Sequence, residues 1–77
     1  MKVGDKLIRL LAGSIPLDVI VGKISDTEFK VGSADGAIGF EEGWTFDRKT
    51  GMEIDEDLHW GPKYGITGSF IKDFKSF

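Results

Sequence analysis

Apolar and polar residues alternate along much of this chain with a period of two, the repeat of a half-buried β-strand. The clearest instance is Thr27 to Val31, where Thr27, Phe29 and Val31 alternate with Glu28 and Lys30. Upstream, Leu17 to Ile24 is rich in β-branched residues, with Val19 and Val21 opposite Ile20 and Ile24. Ser25-Asp26 separates the two runs, and together they predict a hairpin. Val3 to Leu11 is more ambiguous, because Leu7, Ile8, Leu10 and Leu11 fit a helical stripe about as well as a strand. The segment ends at Gly13-Ser14-Ile15-Pro16 and leads directly into a β-rich run, which favours a strand.

Glycine punctuates the rest of the chain. Ala34-Asp35-Gly36 marks a turn, Ala37 to Phe40 a short run, and Glu41-Glu42-Gly43 a break. Trp44–Asp47 and Met52–Asp55, joined by Arg48–Gly51, predict a second hairpin. Trp44, Phe46, Met52 and Ile54 are expected on its core face, with Glu53 and Asp55 outward. Gly51 suits a left-handed position closing the loop, and Asp47 can accept hydrogen bonds from the loop amides. Tyr64, Ile66, Gly68 and Phe70 alternate with Gly65, Thr67 and Ser69 as a last strand. Alternatively, Phe70, Phe74 and Phe77 lie on one side of a short helical turn at the C-terminus. The expected core is Leu7 or Ile8, Val19, Val21, Phe29, Val31 and Phe70. The pattern as a whole predicts a mainly β fold.

Length changes the picture by limiting the core. At 77 residues the chain makes one domain, residues 1–77. A domain of this size buries only about 60% of the surface its unfolded chain exposes. With no cysteine there is no disulfide framework and no thiolate metal site, so stability must come from a tight core or from self-association. Net charge is −3, and residues 41–59 hold seven carboxylates against Arg48 and Lys49. Such a segment disfavours contact with a phosphate backbone. The N-terminal Met1–Asp5 is charged and lacks the apolar run of a signal peptide, and no stretch is long enough to span a bilayer, which suggests a cytoplasmic protein without membrane contact.

The run Phe46-Asp47-Arg48-Lys49-Thr50-Gly51-Met52-Glu53-Ile54-Asp55-Glu56-Asp57-Leu58, followed by Trp60-Gly61-Pro62, resembles the signature of a family of small bacterial proteins without assigned function. Val3-Gly4-Asp5-Lys6-Leu7, Gly13-Ser14-Ile15-Pro16-Leu17 and Thr67-Gly68-Ser69-Phe70-Ile71 are similar to that family too. Its members usually have Gly where His59 stands and lack most of Ser33 to Glu42, which reads as an inserted β excursion. The resemblance implies an SH3-like small β-barrel or a strongly bent antiparallel sheet, and no activity or cofactor.

Candidate chemistry is sparse. The acidic run Glu53 to Asp57 offers oxygen ligands of the kind Ca²⁺ takes, but its spacing does not match a calcium loop. Charges on a solvated strand edge also discourage edge-to-edge pairing. His59 is the lone histidine, and Asp55 or Asp57 could orient it as a general base, yet one histidine without a cysteine cannot complete a zinc site. No catalytic, metal or cofactor motif stands out, so an enzyme centred on His59 and Asp57 is the weakest reading.

Trp60, Tyr64, Asp55, Asp57 and His59 converge around a Gly61-Pro62 bend, with rings for contact and carboxylates to favour a basic ligand. Against this, Trp60 could cap the barrel end and Trp44 lie in the core. The leading expectation is a non-enzymatic binding or interaction module that recognises a protein segment or associates with its own copy. The alternative is a small nucleic-acid-binding β-barrel with Lys2, Lys6, Arg9, Lys23 and Lys30 as a basic face and Phe29 for stacking.

Overall fold

In a computed structural model that describes residues 1–75, the alternating segments become strands of one antiparallel sheet. The strands are β1 (Lys6–Leu11), β2 (Ile15–Ile24), β3 (Glu28–Ser33), β4 (Trp44–Asp47), β5 (Glu53–Ile54) and β6 (Ser69–Ile71). Their spatial order is β5-β4-β3-β2-β1-β6. The two ends of the sheet approach each other. Met52 bridges Phe70, the Ile71 N–H donates to the Gly51 carbonyl at 3.0 Å, and Thr67 Oγ1 lies 3.0 Å from the Glu53 carbonyl oxygen. The sheet is therefore a nearly closed small β-barrel. No helix occurs among the described residues, and none is long and apolar enough to cross a membrane.

Turn chemistry fixes the hairpins. Ala12 and Gly13 both have positive φ, 54° and 74°, between Leu11 and Ser14, which suits the right-handed twist of β1 and β2. In the β4–β5 loop, Asp47 Oδ2 accepts from the amides of Lys49 and Thr50 and from the Thr50 hydroxyl. Gly51 closes that loop at φ 76°.

The core is Val19, Val21, Phe29, Val31, Phe46 and Ile71, with Met1, Leu7, Ile24, Trp44 and Phe74 packed against it. A bulge at Gly22 shifts the β2–β3 register, so that Val21 opposes Val31 and Ile24 opposes Phe29. Ile24 thereby reaches the core instead of facing away from Val19 and Val21. Phe29 stacks between Phe46 and Phe74, with ring centroids 5.5 and 5.9 Å away.

Several expectations are corrected. Asp47 N–H donates to the Met52 carbonyl, and Phe46 opposes Glu53 while Thr45 opposes Ile54. Opposed residues share a face, so Glu53 joins Phe46 inside, while Met52 and Ile54 turn to the other side. The last strand is Ser69–Ile71 with Ser69 and Ile71 buried, which leaves Phe70 38% exposed and outside the core. Tyr64 lies in a turn, not in that strand. The C-terminal helical turn is also absent among the described residues. Lys72–Asp73 form a turn, Asp73 has φ 52°, and Phe74 swings onto Phe29. Phe77 lies outside the described residues. Ser33–Glu42 contributes no strand beyond Ser33. It is a loop pinned by Phe40, whose ring lies 2.4 Å from where a Cβ on Gly22 would stand.

Candidate functional site

Asp55 and Trp60 pair through both backbone hydrogen bonds, 3.2 and 2.9 Å, closing a turn over Glu56–His59. Gly61 and Ile66 then bridge around a second turn over Pro62–Gly65. The sequence-predicted residues are thus brought together on consecutive turns, but most serve those turns. Asp55 Oδ1 accepts from the Leu58 amide. His59 has φ 56°, and its ring meets Tyr64 edge-on at 5.1 Å. The Tyr64 hydroxyl donates to Glu56, not to Asp55 or Asp57, and that bond raises its pKa above the usual 10.0. Lys63 adds a 3.7 Å exposed ion pair to the same Glu56.

Trp60 and Tyr64 are both half-buried. A Cβ on Gly68 would stand 2.3 Å from the Trp60 ring, so the indole packs directly against the backbone entering β6. Leu58 and Ile66 are the exposed apolar residues of this face, at 53% and 62%.

The expected acidic cluster separates. Glu53 enters the barrel and pairs with Arg9 at 2.7 Å, both buried, while Asp57 is exposed. No group of three or more metal-ligating side chains occurs among the described residues. The expected basic face loses Arg9 to that ion pair, and Phe29, 1% exposed, cannot stack on a base.

A second concavity lies where β3 stops. β2 continues past its last partner, Val19 opposite Ser33, while the chain leaves β3 through Ala34–Gly43. Leu17, Val19, Ile38 and Trp44 line a groove of about 670 Å³, with Asp18 and Asp35 beside them. Leu17 opposes Arg9 and so faces the barrel interior at its open end, yet is 37% exposed. Trp44 opposes Val31 on the core face, with the Arg9 guanidinium carbon 4.5 Å from its ring centroid.

The loop that carries Ile38 is fixed by its own bonds. Ser33 N–H donates to the Ile38 carbonyl, and Ile38 N–H donates to Ser33 Oγ, each at 2.8 Å. Asp35 Oδ1 accepts from Ser33 Oγ at 2.7 Å and from the Ala37 amide at 2.9 Å. The Ala37 amide first, and then the Ser33 hydroxyl, hold the Asp35 carboxyl below the usual carboxylate range.

The chain matches no protein-family model, no curated protein and no solved structure.

Sequence reasoning missed this groove. Trp44 reads as core from its strand, and only the register at the barrel end leaves its ring half-exposed. The one available signal is Ile38, a lone large aliphatic in the glycine-rich stretch Gly36–Gly39.

Proposed function

We propose that this protein is a non-enzymatic interaction module that holds a protein segment in the groove at the open end of the barrel. The observation that carries this reading is the groove itself: Leu17, Val19, Ile38 and Trp44 around about 670 Å³. Binding concavities commonly measure about 300–1,000 Å³ and are lined mainly by apolar side chains with a few polar groups. Three of the four apolar walls stand on strands, and the fourth is on a loop tied by internal hydrogen bonds. Little ordering is therefore needed on binding, which favours affinity. Trp44, half-buried in the lining, supplies the kind of anchor that dominates binding energy.

The test is an array of short peptides, each carrying one leucine, phenylalanine or methionine, scored by tryptophan fluorescence and by backbone NMR shifts. Ile38→Ser, at an exposed loop position, should melt like the parent and weaken binding about tenfold, the effect of losing one good apolar contact. If Ile38→Ser and Leu17→Ser both bind as the parent does, the groove is not the site.

A second reading keeps the contact on the Asp55–Tyr64 turns. Leu58 and Ile66 support it, since both are exposed beside Glu56 and Asp57. Shifts confined to residues 55–66, with the groove silent, are its signature.

A further inference from the structure

Resting on the groove reading, we infer that the groove selects a segment of another protein in which an apolar side chain is flanked by lysine or arginine. Among the described residues the charged members of its lining are Asp18 and Asp35, both exposed and both acidic, and Asp35 stands on the loop that carries Ile38. Asp35 is a fixed charge. Its Oδ1 is held by Ser33 Oγ and the Ala37 amide, and no ion pair among the described residues neutralises it. The Asp18 carbonyl accepts from the Ala34 amide at 3.0 Å, which ties this loop to β2, while the Asp18 side chain, opposite Ile8, lies on the other face of the strand from Leu17 and Val19. Arg9 approaches the Trp44 ring, but Glu53 neutralises it at 2.7 Å, so it does not cancel the rim charge.

The backbone beside the groove argues for recognition through side chains. Beyond the Asp18 carbonyl, which takes the Ala34 amide, β2 runs on as Ile15–Leu17 past the end of β3. Pro16 sits in that stretch opposite Leu10, where it supplies no N–H. A proline at an open edge blocks strand addition. What remains is an apolar pocket with a carboxylate rim, which fits an apolar anchor next to a cation.

The same peptide array decides this, with lysine, alanine or glutamate on either side of the apolar residue. Lysine-flanked peptides should bind about three- to tenfold tighter than glutamate-flanked ones at low ionic strength, and the difference should shrink as salt rises. In Asp35→Asn, whose amide oxygen can still accept from Ser33 Oγ and the Ala37 amide, the lysine-over-glutamate preference should vanish. Should that variant fail to fold, the opposite salt dependence of lysine- and glutamate-flanked peptides on the parent protein gives the same answer. Equal binding of all three sets, with shifts in the groove, overturns the charge selection and leaves the groove reading standing. No binding by any set, or shifts only at residues 55–66, overturns both. Concentration-dependent dimerisation in sedimentation that Ile38→Ser abolishes makes the occupant a second copy and overturns the inference.

Discussion

Arg9 Nε and Glu53 Oε1 meet inside the barrel at 2.7 Å, across a sequence separation of 44 residues. Arg9 comes from β1, next to β6, and Glu53 from β5, so the pair spans the line along which the barrel closes. A buried ion pair is weak evidence for net stability, because desolvation of both charges opposes their attraction. Removing one partner is different, since it strands the other charge. Glu53→Ala should cost about 3–5 kcal/mol in chemical denaturation. The double variant Arg9→Met/Glu53→Leu should cost far less than the single one. If the two are equally unstable, the pair's charges are not what matters.

Gly51 and Phe74 test the loop and the C-terminal segment together. At Gly51 a side chain meets both a positive φ of 76° and the Phe74 ring, 2.5 Å from an ideal Cβ. Gly51→Ala should therefore cost roughly 1–3 kcal/mol or more. In a Phe74→Gly background, which also removes the Phe74 Cβ 2.8 Å from that position, the steric part disappears, and Gly51→Ala should cost only about 1–2 kcal/mol of left-handed backbone strain. A thermodynamic cycle on these variants separates the two causes, and strict additivity would show that Phe74 does not cover Gly51.

The strands were legible wherever a period of two ran long enough, as in Thr27–Val31 and Val19–Val21, because those side chains have only one apolar side to turn to. The Arg48–Gly51 loop was legible through Asp47 and Gly51, whose chemistry is local. The faces of β5 were not. A loop of four residues between Asp47 and Met52 pairs even positions with odd ones, so Phe46 shares its face with Glu53 and not with Met52 or Ile54. Hydrophobicity suggested the reverse, and the compensating partner, Arg9, lies in another strand. The groove was illegible for the same kind of reason. It depends on where β3 ends relative to β2, which no local pattern encodes. Asp55 pairs with Trp60 and His59 meets Tyr64 because consecutive turns gather residues close in sequence.

Tyr64 offers a direct spectroscopic check of those turns, being the only tyrosine. Its hydroxyl bond to Glu56 favours the protonated phenol, so phenolate absorbance should appear above the usual pKa of 10.0. Glu56→Ala should bring the titration back to about 10. The sign for stability follows from proton uptake. Above the unfolded-state pKa the folded chain retains a proton that the unfolded chain has lost, so this contribution declines from about pH 10 upward. An unshifted phenolate curve in the parent protein would show that the Tyr64–Glu56 bond does not persist in solution.

Trp60 separates a structural role from a contact role. Its indole lies on Gly68, and its backbone closes the turn with Asp55. On this geometry Trp60 holds the double turn against the start of β6, and its truncation should lower stability. A fully buried aromatic truncated to alanine costs about 3–5 kcal/mol, so a half-buried one should cost roughly 2. Gly68→Ala should cost about 1–3 kcal/mol by overpacking and should red-shift tryptophan emission as the ring is displaced. In a Trp60→Ala background the added methyl has nothing to strike, and Gly68→Ala should become nearly neutral, a coupling that only direct contact produces. Both variants, where folded, should still bind peptides in the groove, since Leu17, Ile38 and Trp44 lie elsewhere on the barrel. The opposite pattern is a Trp60→Ala protein that melts like the parent but no longer captures any peptide. That result would move the binding surface from the groove to the Asp55–Tyr64 turns.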